Sequence, residues 1–242
     1  MRIFDIWNRN YYEEDQVLFK GHRLTLYPNK TYCLVGCNGI GKSTILRQMV
    51  QDHDSSLDNT AWDMCQNYQF GDLRGVFSEK KPEDYDEFYF KANRKTSIGK
   101  NLDNLDIMRM WKNFQSTGEG LSSNYTTIFQ ALVDSFKGLK GKTYYILLDD
   151  FDVGTSIDVL KDFVRVVKKV EELCIKNNIT YYIVITANAY ELAKNFTCID
   201  CITMEEVKFN SYEEYSDYVV ETRKYKDIRN ANKKKSTKKS SL

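Results

Sequence analysis

The segment Gly36-Cys37-Asn38-Gly39-Ile40-Gly41-Lys42-Ser43-Thr44 carries the clearest chemistry in the sequence. A diphosphate needs several inward-facing N–H donors, and side chains at those positions would block its approach. Glycines at 36, 39 and 41 remove the obstruction and permit the positive φ angles of such a nest. Asn38 and Ile40 complete the cradle between them. Lys42 is spaced to reach β and γ phosphates, and the Ser43 hydroxyl to ligate Mg²⁺. Thr44 supports the α-phosphate, and a helix starting near Gly41 adds its N-terminal dipole to the same site.

A second chemical feature lies a hundred residues on, where the apolar run Tyr144-Tyr145-Ile146-Leu147-Leu148 ends in Asp149-Asp150. An acid at the end of a strand neighbouring a phosphate loop helps hold the magnesium ion. Asp149 is the expected metal carboxylate, and Asp150 is placed to polarise an attacking water.

The elements that must position these groups follow from apolar patterning. Thr31 to Val35, Thr143 to Leu148 and Tyr181 to Ile185 are short runs, apolar on both faces, that end abruptly in small or charged residues. Buried parallel strands read this way. A helix is expected from Gly41 to about Val50, and a second from about Ser156 to Lys176, where Leu160, Phe163, Val164, Val167, Val170 and Cys174 recur at helical spacing. Strand–helix alternation predicts a parallel sheet covered on both sides. Val17-Leu18-Phe19 and Leu24-Thr25-Leu26 read as N-terminal strands, and Cys198 to Ile202 alternates like another. Strands are expected around Asn67 to Phe77, and helices around Leu102 to Phe114 and from Asn124 to Phe136. Ser211, with Glu214 three residues on, reads as the start of a helix.

The chain has 242 residues with 35 Lys+Arg against 34 Asp+Glu, so net charge points to no particular partner. The distribution is uneven. Arg223, Lys224, Lys226 and Arg229 lead into Lys233-Lys234-Lys235 and Lys238-Lys239, against the one acid Asp227. This basic tail suits weak, salt-sensitive contact with nucleic acid, an acidic protein partner, or simple solvation. Its Lys/Ser/Thr composition predicts disorder. No apolar run approaches the roughly 20 residues that span a bilayer, and the start is too polar for a signal peptide, which together predict a cytoplasmic protein. Six cysteines then read as reduced thiols; the Cys198/Cys201 pair has no second Cys or His pair nearby to complete a zinc site. With only His22 and His53, a histidine-based centre is not expected.

With these features in hand, the chain resembles the ATP-binding cassette (ABC) ATPases, in particular the soluble SMC- and RecF-like branch. The phosphate loop with Asn38 has the cassette's Walker A form, G-x-N-G-x-G-K-S-T. Phe114-Gln115-Ser116-Thr117-Gly118-Glu119-Gly120-Leu121-Ser122 resembles the family signature in its S-x-G-E form. Asp149 to Asp158 parallels D-E-P-E-S-G-L-S-I-D, which joins Walker B to the D-loop, and Ile185-Thr186-Ala187-Asn188 resembles the switch segment. The four motifs stand in the family's order.

The resemblance implies a P-loop NTPase fold of α/β class, with a mostly parallel sheet, an N-terminal antiparallel β portion and a small helical lobe. It further implies one domain over residues 1–230 followed by the tail 231–242, and ATP and Mg²⁺ as cofactors. In the family two cassettes pair head to tail, so Ser116, Gly118 and Glu119 would contact the γ-phosphate held by the other protomer of a homodimer. Lys42, Asp150 and Asn188 would be the catalytic set. Asp150 stands where the family's catalytic Glu does, and Asn188 where a His is usual; both departures imply slow hydrolysis. Glu119 in the signature favours the soluble branch over transporter subunits, and the interval from Thr44 to Ser116 leaves no room for a long coiled-coil arm. An effector protein or DNA is the implied partner, with no membrane. Gln66 and Gln69 remain alternatives for the Q-loop, and Tyr11 and Tyr12 for adenine stacking.

Overall fold

The computed structural model describes residues 1–6, 22–53, 87–93, 143–149, 151–152 and 155–239. The strands are β1 (Arg2–Ile6), β2 (His22–Leu26), β3 (Lys30–Val35), β4 (Glu87–Asn93), β5 (Thr143–Asp149), β6 (Thr180–Thr186), β7 (Thr197–Asp200) and β8 (Glu206–Val207). The helices are α1 (Lys42–His53), α2 (Ile157–Lys176), the short α3 (Tyr190–Ala193) and α4 (Tyr212–Lys239).

Six strands form one sheet in the order β4-β5-β6-β3-β7-β8, in which only the β7–β8 pair is antiparallel. β1 and β2 make a separate antiparallel ribbon. The three apolar runs of the sequence are β3, β5 and β6, adjacent at the centre of the sheet. Their side chains alternate between two apolar clusters, as a pleat of period two requires. Cys33, Val35, Tyr144, Ile146, Leu148, Ile183 and Ile185 face α2, whose Leu160, Phe163, Val164, Val167, Val170 and Cys174 are all buried. Tyr32, Leu34, Tyr145, Leu147 and Val184 face the other way, towards Ile45, Leu46 and Met49 of α1 and Phe4, Ile6, Leu24 and Leu26 of the ribbon. Burial on both faces explains why these strands read as unbroken apolar runs.

Two joints set the geometry. The Asn177-Asn178 turn ends α2 in a Schellman arrangement: Asn178 takes φ 53°, Ile179 N–H donates to Cys174 O at 2.8 Å and Asn178 N–H to Ile175 O at 3.1 Å. The chain thereby enters β6 directly beneath the helix. After β5, the Phe151 ring stacks on Phe163 of α2 at 5.2 Å between centroids, which ties down the segment that follows Asp149.

Some expectations meet a different structure. β4 pairs in parallel with β5 from Glu87 to Asn93, although no strand is expected there; Phe88-Tyr89-Phe90 is a short aromatic run between charged residues, and its pairing comes from the sheet edge offered by β5. α4 continues to Lys239, into the stretch where composition predicts disorder. From Tyr212 onward it contains no Gly or Pro, and Lys, Glu, Arg and Ala favour helix once a packed first half has nucleated it. At its start, Ser211 Oγ accepts from Glu214 N–H at 3.2 Å, while the Glu214 carboxylate reaches back one residue further, to Asn210 N–H at 2.8 Å. Val17 to Phe19, residues 67–77, 102–114 and 124–136, and with the last two the helical lobe, lie outside the described residues. Among those described, no helix is long and apolar enough to cross a membrane.

Five described cysteines, Cys33, Cys37, Cys174, Cys198 and Cys201, are buried free thiols. Burial pushes Cys174 and Cys198 from 9.0 up to about 12, because a thiolate there would be desolvated. The protonated thiols contribute stability that is fully present below about pH 9 and is lost as pH rises towards 12. Melting temperature should therefore fall between pH 9 and 11, and thiol reagents should label these positions only on unfolding. Phe163→Ala, which removes a ring 1% exposed and stacked on Phe151, should cost about 3–5 kcal/mol in denaturant titration.

Candidate functional site

Because β5, β6 and β3 run parallel as neighbours, their C-terminal ends share one edge of the sheet, where open α/β folds bind ligands. The glycine-rich loop Gly36 to Gly41 leaves β3 at that edge. Gly36, Gly39 and Gly41 take φ of 140°, 78° and 122°. At Gly36 a Cβ would also stand 3.1 Å from Ile40 Cγ2, and Ile40 is the fully buried side chain that anchors the loop in the core. The loop closes through Ile40 N–H to Cys37 O at 3.2 Å and passes into α1, whose first turn holds Lys42, Ser43 and Thr44 and no acidic residue. An anion at this end would meet the helix N-terminal dipole without a carboxylate from the helix's own first turn. Lys42 is 7% exposed, and its ammonium donates to Gly36 O at 2.7 Å and Cys37 O at 3.2 Å. The charge thus folds over the loop's own carbonyls.

Asp149 ends β5 and is 2% exposed. One of its oxygens, Oδ1, accepts from Ser43 Oγ at 3.0 Å and from Thr186 Oγ1, at the end of β6, at 2.9 Å. Strand register produces this meeting: Leu148 pairs with Ile185 and Leu34 with Thr186. Ser43 and Asp149 offer hard oxygen donors of the kind magnesium takes. Two ligands at about 2.0–2.1 Å on adjacent octahedral vertices lie about 2.9 Å apart, so the observed spacing fits that ion.

Just past Asp149, Asp152 binds the segment beyond β6. Its Oδ2 accepts from the backbone N–H of Asn188 and, at 2.6 Å, from that of Ala189, while Oδ1 accepts from Asn188 Nδ2 at 2.9 Å. Asn188 Oδ1 is buried with no partner among the described residues. The Asn188 amide is thus held in one orientation, donor side to Asp152 and acceptor side unused.

Of the residues that the sequence singles out, Gly36 to Thr44, Asp149 and Asn188 gather at this one edge. Asp150, Ser116, Gly118, Glu119, Gln66, Gln69, Tyr11 and Tyr12 lie outside the described residues. Four further side chains belong to the site and were not given roles by sequence reasoning: Thr186, Asp152, Thr222 and Lys226. Thr222 Oγ1 accepts from Cys37 N–H at 2.9 Å, and Lys226 Nζ donates to Asn38 O at 2.7 Å. Asp152 follows the motif closely enough to be suspected. Nothing in the charged sequence of α4 distinguishes Thr222 from a solvated residue. Behind the loop, burial pushes the Cys201 thiol up, opposed by the nearby Lys42 charge, so this position presents no thiolate to the site.

No protein-family model matches the chain, and no curated protein does. Among solved structures the chain is similar to an ATP-binding cassette of an ABC transporter, at 13% identity, covering 92% of this chain and 97% of that chain with a TM-score of 0.44. Similarity at that level leaves function to be argued from the site itself.

Asp152→Ala would strip the acceptor from two backbone N–H groups and an amide at once. A loss of about 2–4 kcal/mol is expected in urea unfolding, since donors left buried without partners cost about 1–3 kcal/mol each and water recovers part of that.

Proposed function

We propose that this chain is a Mg-ATP-binding ATPase of ABC type, which pairs with a second copy on binding ATP and hydrolyses it slowly to ADP and phosphate. The observation that carries the reading is the 3.0 Å approach of Ser43 Oγ to Asp149 Oδ1 beside a loop with three positive-φ glycines and a buried lysine. These parts come from two elements about a hundred residues apart and bring together, at one sheet edge, the groups that bound phosphate and magnesium would use.

The residues divide the work as follows. Backbone N–H groups of Gly36, Asn38, Gly39, Ile40, Gly41 and Lys42 cradle the phosphates, Cys37 N–H being held by Thr222, and Thr44 supports the α-phosphate. Lys42 turns from the Gly36 and Cys37 carbonyls to the β and γ phosphates. Ser43 and Asp149 would hold magnesium, which supplies charge neutralisation between those phosphates. Thr186 fixes the Asp149 carboxylate in orientation. Asp150 accepts the proton of the attacking water, and Asn188 Oδ1, buried and without a partner among the described residues, is the switch atom that can accept a hydrogen bond beside it. The signature residues Ser116, Gly118 and Glu119 act across the pair on the other protomer's γ-phosphate. The closed pair passes its motion to an effector protein or to DNA, to which the basic end of the chain adds sequence-independent attraction. Phage, mobile-element or defence systems are contexts suited to such a compact cassette.

A second reading, a nucleotide-sensing subunit that scarcely turns over, draws on Asn188. Its amide is committed to Asp152 and cannot titrate, so it is suited to sensing as much as to proton transfer. A transporter subunit is the weaker alternative, since Glu119 departs from the transporter form of the signature.

Steady-state ATPase and solution size, with and without Mg-ATP, separate these readings in the wild type, Lys42→Ala and Asp150→Asn. The wild type should turn over and Lys42→Ala should not, while Asp150→Asn should accumulate as an ATP-bound pair. Wild-type turnover no higher than that of Lys42→Ala, with pairing retained, would leave the sensing role; no nucleotide binding at all would end both. Removal of residues 231–242 should weaken DNA binding and flatten its salt dependence, and unchanged affinity would exclude DNA contact through the tail.

A further inference from the structure

α4 reaches the phosphate loop with three side chains spaced by one helical turn. Tyr218 OH donates to Val35 O at 3.3 Å, Thr222 Oγ1 accepts from Cys37 N–H at 2.9 Å, and Lys226 Nζ donates to Asn38 O at 2.7 Å. Residues at i, i+4 and i+8 lie along one face of a helix, so the helix runs alongside the loop's outer limb and meets it at each turn. The contacts have a defined polarity. Thr222 is 2% exposed, and its hydroxyl donates its own proton to Val219 O at 2.7 Å, which leaves a lone pair for Cys37 N–H. Lys226 lies over Gly39: a Cβ there would stand 3.1 Å from Nζ and 3.2 Å from Cε, so the glycine also makes room for the lysine.

We infer that Thr222 and Lys226 are positioning residues of the nucleotide site, a strap by which α4 holds the limb from Gly36 to Gly39 in its phosphate-binding shape. The inference rests on the ATP-binding reading above. The reason is a competition within the loop. Lys42 is bonded to the carbonyls of Gly36 and Cys37, and when its ammonium turns to a phosphate those bonds are surrendered. The outer limb then depends more heavily on the pair of bonds from α4, one to a backbone N–H and one to a backbone carbonyl, beside the Ile40 N–H bond to Cys37 O. Without them the limb relaxes when Lys42 leaves, and part of the binding energy is spent on reordering it.

The test uses the full chain as wild type, Thr222→Val, Thr222→Ser, Lys226→Gln and Lys226→Arg. Thr222→Val keeps the shape of the side chain but loses the hydroxyl; Ser retains it. In the nucleotide-free protein, hydrogen exchange of the peptide containing Cys37 should accelerate in Thr222→Val and return towards the wild-type rate in Thr222→Ser. Affinity for a fluorescent Mg-ATP analogue, measured well below the melting temperature, should fall about ten-fold in Thr222→Val, the size of one hydrogen bond. It should fall several-fold in Lys226→Gln and recover with Ser and Arg respectively. A merely structural contact would lower the melting temperature without this rescue pattern in affinity. Unchanged exchange and unchanged affinity in Thr222→Val overturn the strap. Should Thr222→Val not fold, the half-buried Lys226 pair decides it: equal affinity for Gln and Arg overturns it. Accelerated exchange in a chain whose wild type binds no analogue would instead bring down the ATP reading.

Discussion

A carboxylate that is almost wholly shielded from water must be given partners, because its charge is otherwise too costly to bury. Asp149 takes its partners from two other elements, Ser43 at the start of α1 and Thr186 at the end of β6, and both bonds converge on one oxygen. Satisfying that oxygen fixes three things together: the register of β5 against β6, the position of the first turn of α1, and the separation of two oxygen donors suited to a metal ion. The parallel order β5-β6-β3 makes the convergence geometrically available, since only parallel neighbours deliver their C-terminal ends to one edge.

The packing of the sheet serves the same end from both faces. α2 is held on one side by Phe151–Phe163 stacking and by its Asn178 terminus, so the chain leaving β5 and the chain entering β6 are anchored to a single helix. On the other side, Tyr145 and Tyr182 stack at 4.8 Å and nearly parallel beneath the β1–β2 ribbon. Between these layers, Asp152 reaches across to hold Asn188, so that the acid following β5 and the amide following β6 form one unit.

The glycine-rich loop differs from the rest of the site in being held from outside the sheet. Its inner side is anchored by the Ile40 side chain in the core, while its outer limb is bonded to α4, an element almost two hundred residues later in the chain. The loop's conformation is therefore a joint product of local glycine chemistry and a remote helix.

Much of this was legible from the sequence wherever a local rule applied. Glycine spacing before Lys42 marks a tight loop of positive-φ residues because positive φ and close approach both exclude a Cβ. The runs in β3, β5 and β6 mark buried strands because both of their faces are apolar, and the six apolar positions of α2 mark its covered face through helical period alone. Strand β4 was not legible, because its pairing depends on an edge offered by β5 rather than on its own pattern. The helical course of α4 beyond residue 231 escaped a reading based on composition, which weighs solvation but not continuation from a packed first half. Asp152 could be suspected from its place after the motif, whereas Thr186, Thr222 and Lys226 could be given roles only once the chain had folded. Sequence alone determined which residues have the chemistry proposed for the site, glycines before a lysine and hydroxyl and an acid at a strand end, since that is a property of side-chain type and backbone permission at adjacent positions. Tertiary structure alone decided which distant groups hold them in place, since a hydrogen bond between Cys37 and Thr222 is specified by helix placement and leaves no periodic trace in either segment.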